Sequence, residues 1–422
     1  MYILYYIPQL AFKGSLLAIK IFNDLVFYSL LILIFFTTKK ITRNNLSSLA
    51  SVLFFILITG VEFEGHAGYY EYYSLIFIGS CVYILQNKNS PSALLVCGLC
   101  LGLSILVTPS VLLIVLFIFT YVCIKFLKEK NKIFYFFIGL FFPIGSIFVI
   151  YQIFNESKIL LENFLVLPYL YKSEIGFFVF QRFIEFFFFV IKQNKLILLG
   201  AVNLIVFILI INKFLKLKNL RNLFQFDYFI YLLISISLFT FVIANKGYWH
   251  HVIYFYYFFA ISIAFFIDKL QLKKLIYINF SILFPIFFTT SLMNVINFDS
   301  EKNYPIYSVY QNISNEYKIN SALALGDHLI LYYFNLQNES FIIHPSGHEY
   351  EWLLEYFKSQ DYISDSELYD ILDSGPDLII CNKNFKNIGL FCEKVNKNVR
   401  YNIYDQNKVG SSIFIKNNTK SN

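Results

Sequence analysis

Four short basic clusters recur along this chain, with an even number of long apolar runs between each cluster and the next. Lys39, Lys40 and Arg43 form the first, and Lys125, Lys128, Lys130 and Lys132 the second. Lys213, Lys216, Lys218 and Arg221 form the third, and Lys269, Lys273 and Lys274 the fourth. The apolar runs fall near 20–38, 46–61, 69–85, 92–107, 110–124, 133–154, 196–211, 227–244, 251–267 and 275–295. A helix crosses a bilayer with roughly 17–25 apolar residues. If all ten runs cross, every basic cluster emerges on the same side, and basic loops mark the cytoplasmic face. The expected fold class is therefore a mainly α, polytopic membrane protein with about ten transmembrane helices.

Composition agrees with this pattern. The chain is 58% hydrophobic and 14% charged, whereas a soluble domain is about 25% charged. The net charge of +7 comes from basic residues spread over short loops rather than gathered on one face, so no nucleic-acid partner is expected. Residues 1–10 are apolar but lack a basic leader and a small-residue cleavage site, so no cleavable signal is expected. The apolar stretch 177–191 carries Arg182 and Glu185. Counting it as a span would invert every later loop, so it is expected to lie in the outer interface.

From residue 297 onward Asn, Ser, Gly and charged residues rise. Short buried strands are expected at 321–326 and 378–381, and helices at 349–358 and 366–372. Gly375-Pro376-Asp377 reads as the turn into the second strand. The division expected is a transmembrane domain over 1–296 and a small C-terminal α/β domain, extracytoplasmic, over 297–422. The localisation that follows is a membrane, crossed many times, with the basic loops on its cytoplasmic side.

Cys81, Cys97, Cys100 and Cys123 sit in apolar runs, where small buried thiols are the ordinary outcome, and the Cys97-x-x-Cys100 spacing is weak as a redox or metal signal. Cys381 and Cys392 lie in the polar region and could form a disulfide if that region is outside the cytosol.

The even-loop topology leaves one polar set on the face opposite the lysines. It comprises Glu62, Glu64, His66 and Glu71 from the loop 62–71, and Lys246, Tyr248, Trp249, His250 and His251 from a second loop. A carboxylate at the membrane surface can act as a general base, and basic or imidazole groups can hold a phosphate or diphosphate leaving group. Such a set suits group transfer from a polyprenyl phosphate, whose sugar–phosphate bond lies at headgroup height. Oxygen and nitrogen donors there leave room for a divalent cation assisting a diphosphate, although no His-x-x-x-His spacing supports structural zinc. Glu71 would also be stabilised simply by opening a helix. Asp327, His328, His344 and His348 show no paired spacing and are expected in surface or loop roles. Lys20 and Asp24 are among the few polar groups within the spans.

Four features resemble the polytopic glycosyltransferases of the GT-C class, the group of the aminoarabinose and protein mannosyltransferases. They are Tyr70-Glu71-Tyr72-Tyr73-Ser74-Leu75, the glycine-rich run 97–108, Lys246-Gly247-Tyr248-Trp249-His250-His251 before an aromatic helix, and the terminal segment Ser374-Gly375-Pro376-Asp377-Leu378-Ile379-Ile380. The resemblance implies a bacterial inner (cytoplasmic) membrane as the location, a polyprenyl-phosphate sugar donor, membrane lipids as surroundings, and transfer to an envelope lipid, glycan or protein at the outer face. It implies Glu71 and Glu64 as catalytic acids or bases, with His66, Lys246, Tyr248, His250 and His251 binding substrate or phosphate. The family's first helix and first outer loop, with its aspartate, have no counterpart before Ile7-Pro8-Gln9-Leu10. The resemblance thus leaves open a shortened chain, a degenerate non-catalytic relative, or an enzyme with a relocated base. A flippase or exporter of lipid-linked sugars is the rival class, and would need polar groups near the bilayer midplane.

Overall fold

The computed structural model describes residues 16–56, 59, 70–87, 89–162, 166, 170, 226–244, 252–270, 285, 288–289, 292–293, 296, 306–326, 329–342, 348–406, 411–417 and 419. The chain is mainly helical with one small sheet, and it divides into two compact units, Leu17–Ile296 and Asn297–Asn422.

In the first unit the helices are α1 (Leu16–Thr42), α2 (Asn45–Phe55), α3 (Tyr70–Asn87), α4 (Pro91–Val107), α5 (Leu112–Lys125), α6 (Lys130–Ile153), α7 (Ser157–Leu161), α8 (Phe226–Ala244) and α9 (Ile253–Leu270). Two stretches, Leu17–Thr42 and Lys130–Ile153, are long and apolar enough to cross a membrane, and the other apolar helices of the unit are shorter. Helices stand over eight of the ten apolar runs. The runs near 196–211 and 275–295, like the interfacial stretch 177–191, lie outside the described residues or nearly so.

Local chemistry sets the helix ends. Asn44 caps α2 through its side chain, and Ser90 caps α4 ahead of Pro91 at the first helical position, where proline's missing N–H costs nothing. Pro109 opens a short 3₁₀ turn, Pro109–Val111, which separates α4 from α5. Lys128, in the loop between α5 and α6, and Lys130, at the start of α6, are exposed.

Helix α9 is the hub of this unit, packing on α2, α3 and α8. Every residue from Val252 to Ala264 is buried, so the helix has no solvent or lipid face there. Its rings interlock with the neighbours, Phe259 on Phe54 at 5.3 Å and Tyr257 on Phe55 at 6.1 Å between centroids. Helix α4 lies along α6 at backbone contact. A Cβ on Gly98 would come 2.2 Å from the Phe136 carbonyl oxygen, and one on Gly139 would come 2.1 Å from that of Leu95. Small residues at such a crossing let apolar helices associate through close packing. On its outer side α6 exposes Phe134, Phe137, Phe141, Phe142, Val149 and Ile153, a burden that water would disfavour and lipid would accept.

The second unit is a four-stranded sheet with helices on both faces. Its elements are α10 (Ile306–Glu316), β1 (Ala322–Leu325), α11 (Leu329–Phe334), α12 (Glu351–Ser359), α13 (Glu367–Ser374), β2 (Leu378–Asn382), α14 (Lys386–Lys397), β3 (Tyr401–Gln406) and β4 (Ser411–Lys416). The strand order is β1-β2-β4-β3, with β1 and β2 parallel and the other neighbours antiparallel. Side-chain alternation sends Leu323, Leu325, Ile379, Cys381 and Phe414 into one core, with α14. Ala322, Ala324, Leu378, Ile380, Ile413 and Ile415 enter the other, with α10. Gly375, at φ +74°, ends α13 in the left-handed conformation that glycine adopts without strain.

Candidate functional site

Hydrogen bonds define the two ends of the helical unit. At one end the Gln86 amide donates to the Thr37 carbonyl at 3.3 Å, and the Lys125 ammonium donates to the Leu85 carbonyl at 3.3 Å. The exposed Lys39, Lys40, Arg43, Lys125, Lys128 and Lys130 belong to this end. Two of the four basic clusters are thus brought together, while most of the other two lies outside the described residues.

The opposite end gathers a different set. Glu71, in the first turn of α3, is fully buried. A buried carboxylate is costly unless held by hydrogen bonds or charge, and the first turn of a helix supplies favourable amide dipoles. One turn on, the Ser74 hydroxyl donates to the Glu71 carbonyl at 3.0 Å and lies 2.5 Å from the Tyr254 hydroxyl of α9. Tyr254 in turn interacts with Thr108, at the end of α4, and feels the charge of Glu71. The Tyr73 hydroxyl donates to the Asn23 side-chain oxygen of α1, and its ring stacks on Phe22 at 5.8 Å. Asn23 adjoins Asp24, which is buried and faces Lys20 at 3.9 Å, one turn earlier.

Thus two polar sets come to the same end of the unit: Glu71, Ser74, Tyr254 and Thr108 where α3 meets α9 and α4, and Tyr73 with Asn23 where α3 meets α1. Both lie at helix ends, away from the end that carries the first two lysine-rich clusters. Lys20 and Asp24, placed within a span by the sequence, belong to the polar end of α1 beside Asn23. Sequence reasoning did not assign Asn23, Ser74 or Tyr254 to the site. The signal for Lys20 and Asp24 was present, since charges inside an apolar helix are seldom idle. Tyr254 carried none, as it is one of many aromatic residues in a stretch, 252–261, where every side chain is apolar or aromatic.

Of the candidate residues named from the sequence, Glu71 alone is described. Glu64, His66, Lys246, Tyr248, His250 and His251 lie outside the described residues, as do Asp327, His328 and His344. Among the described residues no group of three or more His, Cys, Asp or Glu side chains is arranged to hold a metal ion.

Of the surface or loop role expected for His348, the surface part does not hold. It is buried, and one ring nitrogen approaches the Ser340 hydroxyl at 3.5 Å while the ring also bonds the Ile342 backbone. Ser340 donates to the Glu367 carboxylate at 3.0 Å, and the Phe341 N–H donates to the same oxygen at 3.0 Å. The serine therefore stands between histidine and carboxylate. A hydrolytic relay needs the imidazole in the middle, so this trio pins the segment 340–342 to α13 instead. Burial lowers the His348 pKa and raises that of Glu367.

No family model and no curated protein matches this chain.

Proposed function

We propose that this chain is a polytopic glycosyltransferase of a bacterial cytoplasmic membrane. It moves a sugar from a polyprenyl-phosphate carrier onto an envelope lipid, glycan or protein at the outer face. In this reading the apolar helices span the bilayer about ten times, the lysine-rich end faces the cytoplasm, and the second unit lies outside.

One observation carries the proposal: a buried carboxylate, Glu71, stands beside Ser74 and Tyr254 at the end of the helices remote from the two described basic clusters, and the Tyr73–Asn23 contact and the Lys20–Asp24 pair lie toward that same end. The carrier's sugar–phosphate bond would sit at that depth. Glu71 would take the acceptor's proton as the new glycosidic bond forms, and a basic group would neutralise the departing phosphate. Lys20, paired with Asp24 toward the same end of the unit, is one basic group proposed for that role, alongside Lys246, His250 and His251 from the sequence. Glu64 and His66 complete the proposed set. Polar groups in a carrier would be expected along a path through the bilayer, whereas the described ones named here gather at one end.

The test is transfer of labelled sugar from a polyprenyl-phosphate donor in sealed vesicles of both orientations. Activity is expected only where the face carrying Glu71 meets added acceptor. Equal flux of donor across the membrane without any glycosidic product would favour the carrier reading.

A further inference from the structure

Cys381 ends the buried part of β2, and Cys392 lies eleven positions on, in the middle of α14. The chain reverses between them through residues 383–385, so that α14 packs back on the strand it follows. Both cysteines are buried, Cys381 and Cys392 at 0% exposure, within one core of Leu325, Ile379, Ile388 and Phe391. Cys392 lies close enough to the Cys381 thiol to disfavour its ionisation. Both are free thiols in this structure.

We infer that Cys381 and Cys392 form a disulfide-forming pair that locks α14 onto β2. A disulfide needs Cα atoms within about 7 Å of each other, and a helix packed directly on the strand it follows, with both cysteines in the shared core, can bring them that close. The step is thiol–disulfide exchange with a disulfide oxidant. One cysteine thiolate attacks the oxidant's disulfide, giving a mixed disulfide and one released thiol. The second cysteine displaces the remaining thiol, so both cysteines are oxidised and the oxidant's disulfide is reduced to two thiols. Once packed, the pair is protected. Burial and the neighbouring Cys392 hold the Cys381 thiol well above its ordinary pKa, so little thiolate forms in the folded unit. Closure therefore belongs to the folding stage or to transient opening of α14.

In the cell this closure rests on the exterior placement proposed above, because reduced thiols persist in a cytosol. In solution it does not, and the test is set there. The purified full chain in detergent is incubated with excess oxidised glutathione, with and without mild urea to open the second unit. It is then alkylated, digested and mapped by mass spectrometry. The expected result is a linked Cys381–Cys392 peptide in at least one condition, and a glutathione adduct at Cys381 in Cys392→Ser where its partner is gone. Alkylated Cys381 and Cys392 in both conditions would overturn the pairing, as would stable glutathione adducts on both in the unaltered chain. Neither result bears on glycosyl transfer, so the two proposals fail separately.

Discussion

The Ser74 hydroxyl lies 2.5 Å from the Tyr254 hydroxyl, joining α3 to α9 across 180 positions of sequence. Ser74 also donates to the carbonyl of Glu71, so the contact fixes the turn that carries the carboxylate. Ser74→Ala and Tyr254→Phe are each expected to cost about 1 kcal/mol, the usual net worth of a hydrogen bond. In a double-mutant cycle on the detergent-solubilised protein the two effects should fall short of additive. Full additivity would mean that the hydroxyls do not interact.

The α4–α6 crossing predicts opposite outcomes for two glycines of one helix. Gly139→Ala must displace the Leu95 carbonyl, 2.1 Å from the added carbon, and overpacking of this kind costs about 1–3 kcal/mol or more. Gly145→Ala meets nothing within 4 Å, and helix propensity favours alanine by roughly 0.5–1 kcal/mol. Thermal stability of the purified variants decides this, with Gly139→Ala below and Gly145→Ala at or above the unaltered protein.

Sidedness is directly measurable. In intact cells, a cysteine at Lys128 should resist an impermeant maleimide, and one at the exposed Asp365 should react. Labelling at Lys128 from outside would invert the proposed topology.

Much of this architecture was legible from the chain alone, for identifiable reasons. Helices such as Pro91–Val107 announce themselves by an apolar run between Ser90-Pro91 and Thr108-Pro109. The hairpin of Tyr401–Gln406 and Ser411–Lys416 was not anticipated, because polar and charged residues interrupt its strands and its inward Ile413, Phe414 and Ile415 form only a short run. Helix α14 was also missed, although Ile388, Phe391, Cys392 and Val395 repeat at helical spacing. At the candidate site Glu71 stood out as a charge beside an apolar run. Ser74, Asn23 and Tyr254 did not, since only the packing of α1, α3 and α9 brings them to it.

The buried His348 makes the second unit sensitive to acid. Its pKa is lowered by burial, so the unfolded chain binds the proton more readily than the folded one. Stability should therefore fall as pH drops below about 6.5, the ordinary histidine value. Glu367, raised by burial, works in the opposite sense, losing stability as pH rises above the ordinary carboxylate range. Melting of His348→Gln between pH 8 and 5 should lack the acid-side loss seen in the unaltered chain. An unchanged slope would assign that loss to other groups.

Glu71 is the centre of the account, and its substitution tests the whole most directly. Glu71→Gln keeps the shape of the side chain and removes its basicity. Transfer of labelled sugar from a polyprenyl-phosphate donor in membranes should fall by about 10²–10⁴-fold, the range of general acid–base catalysis. The variant should remain in the membrane at the level of the unaltered protein. Transfer at the unaltered rate by Glu71→Gln would contradict the proposal that this carboxylate serves the reaction.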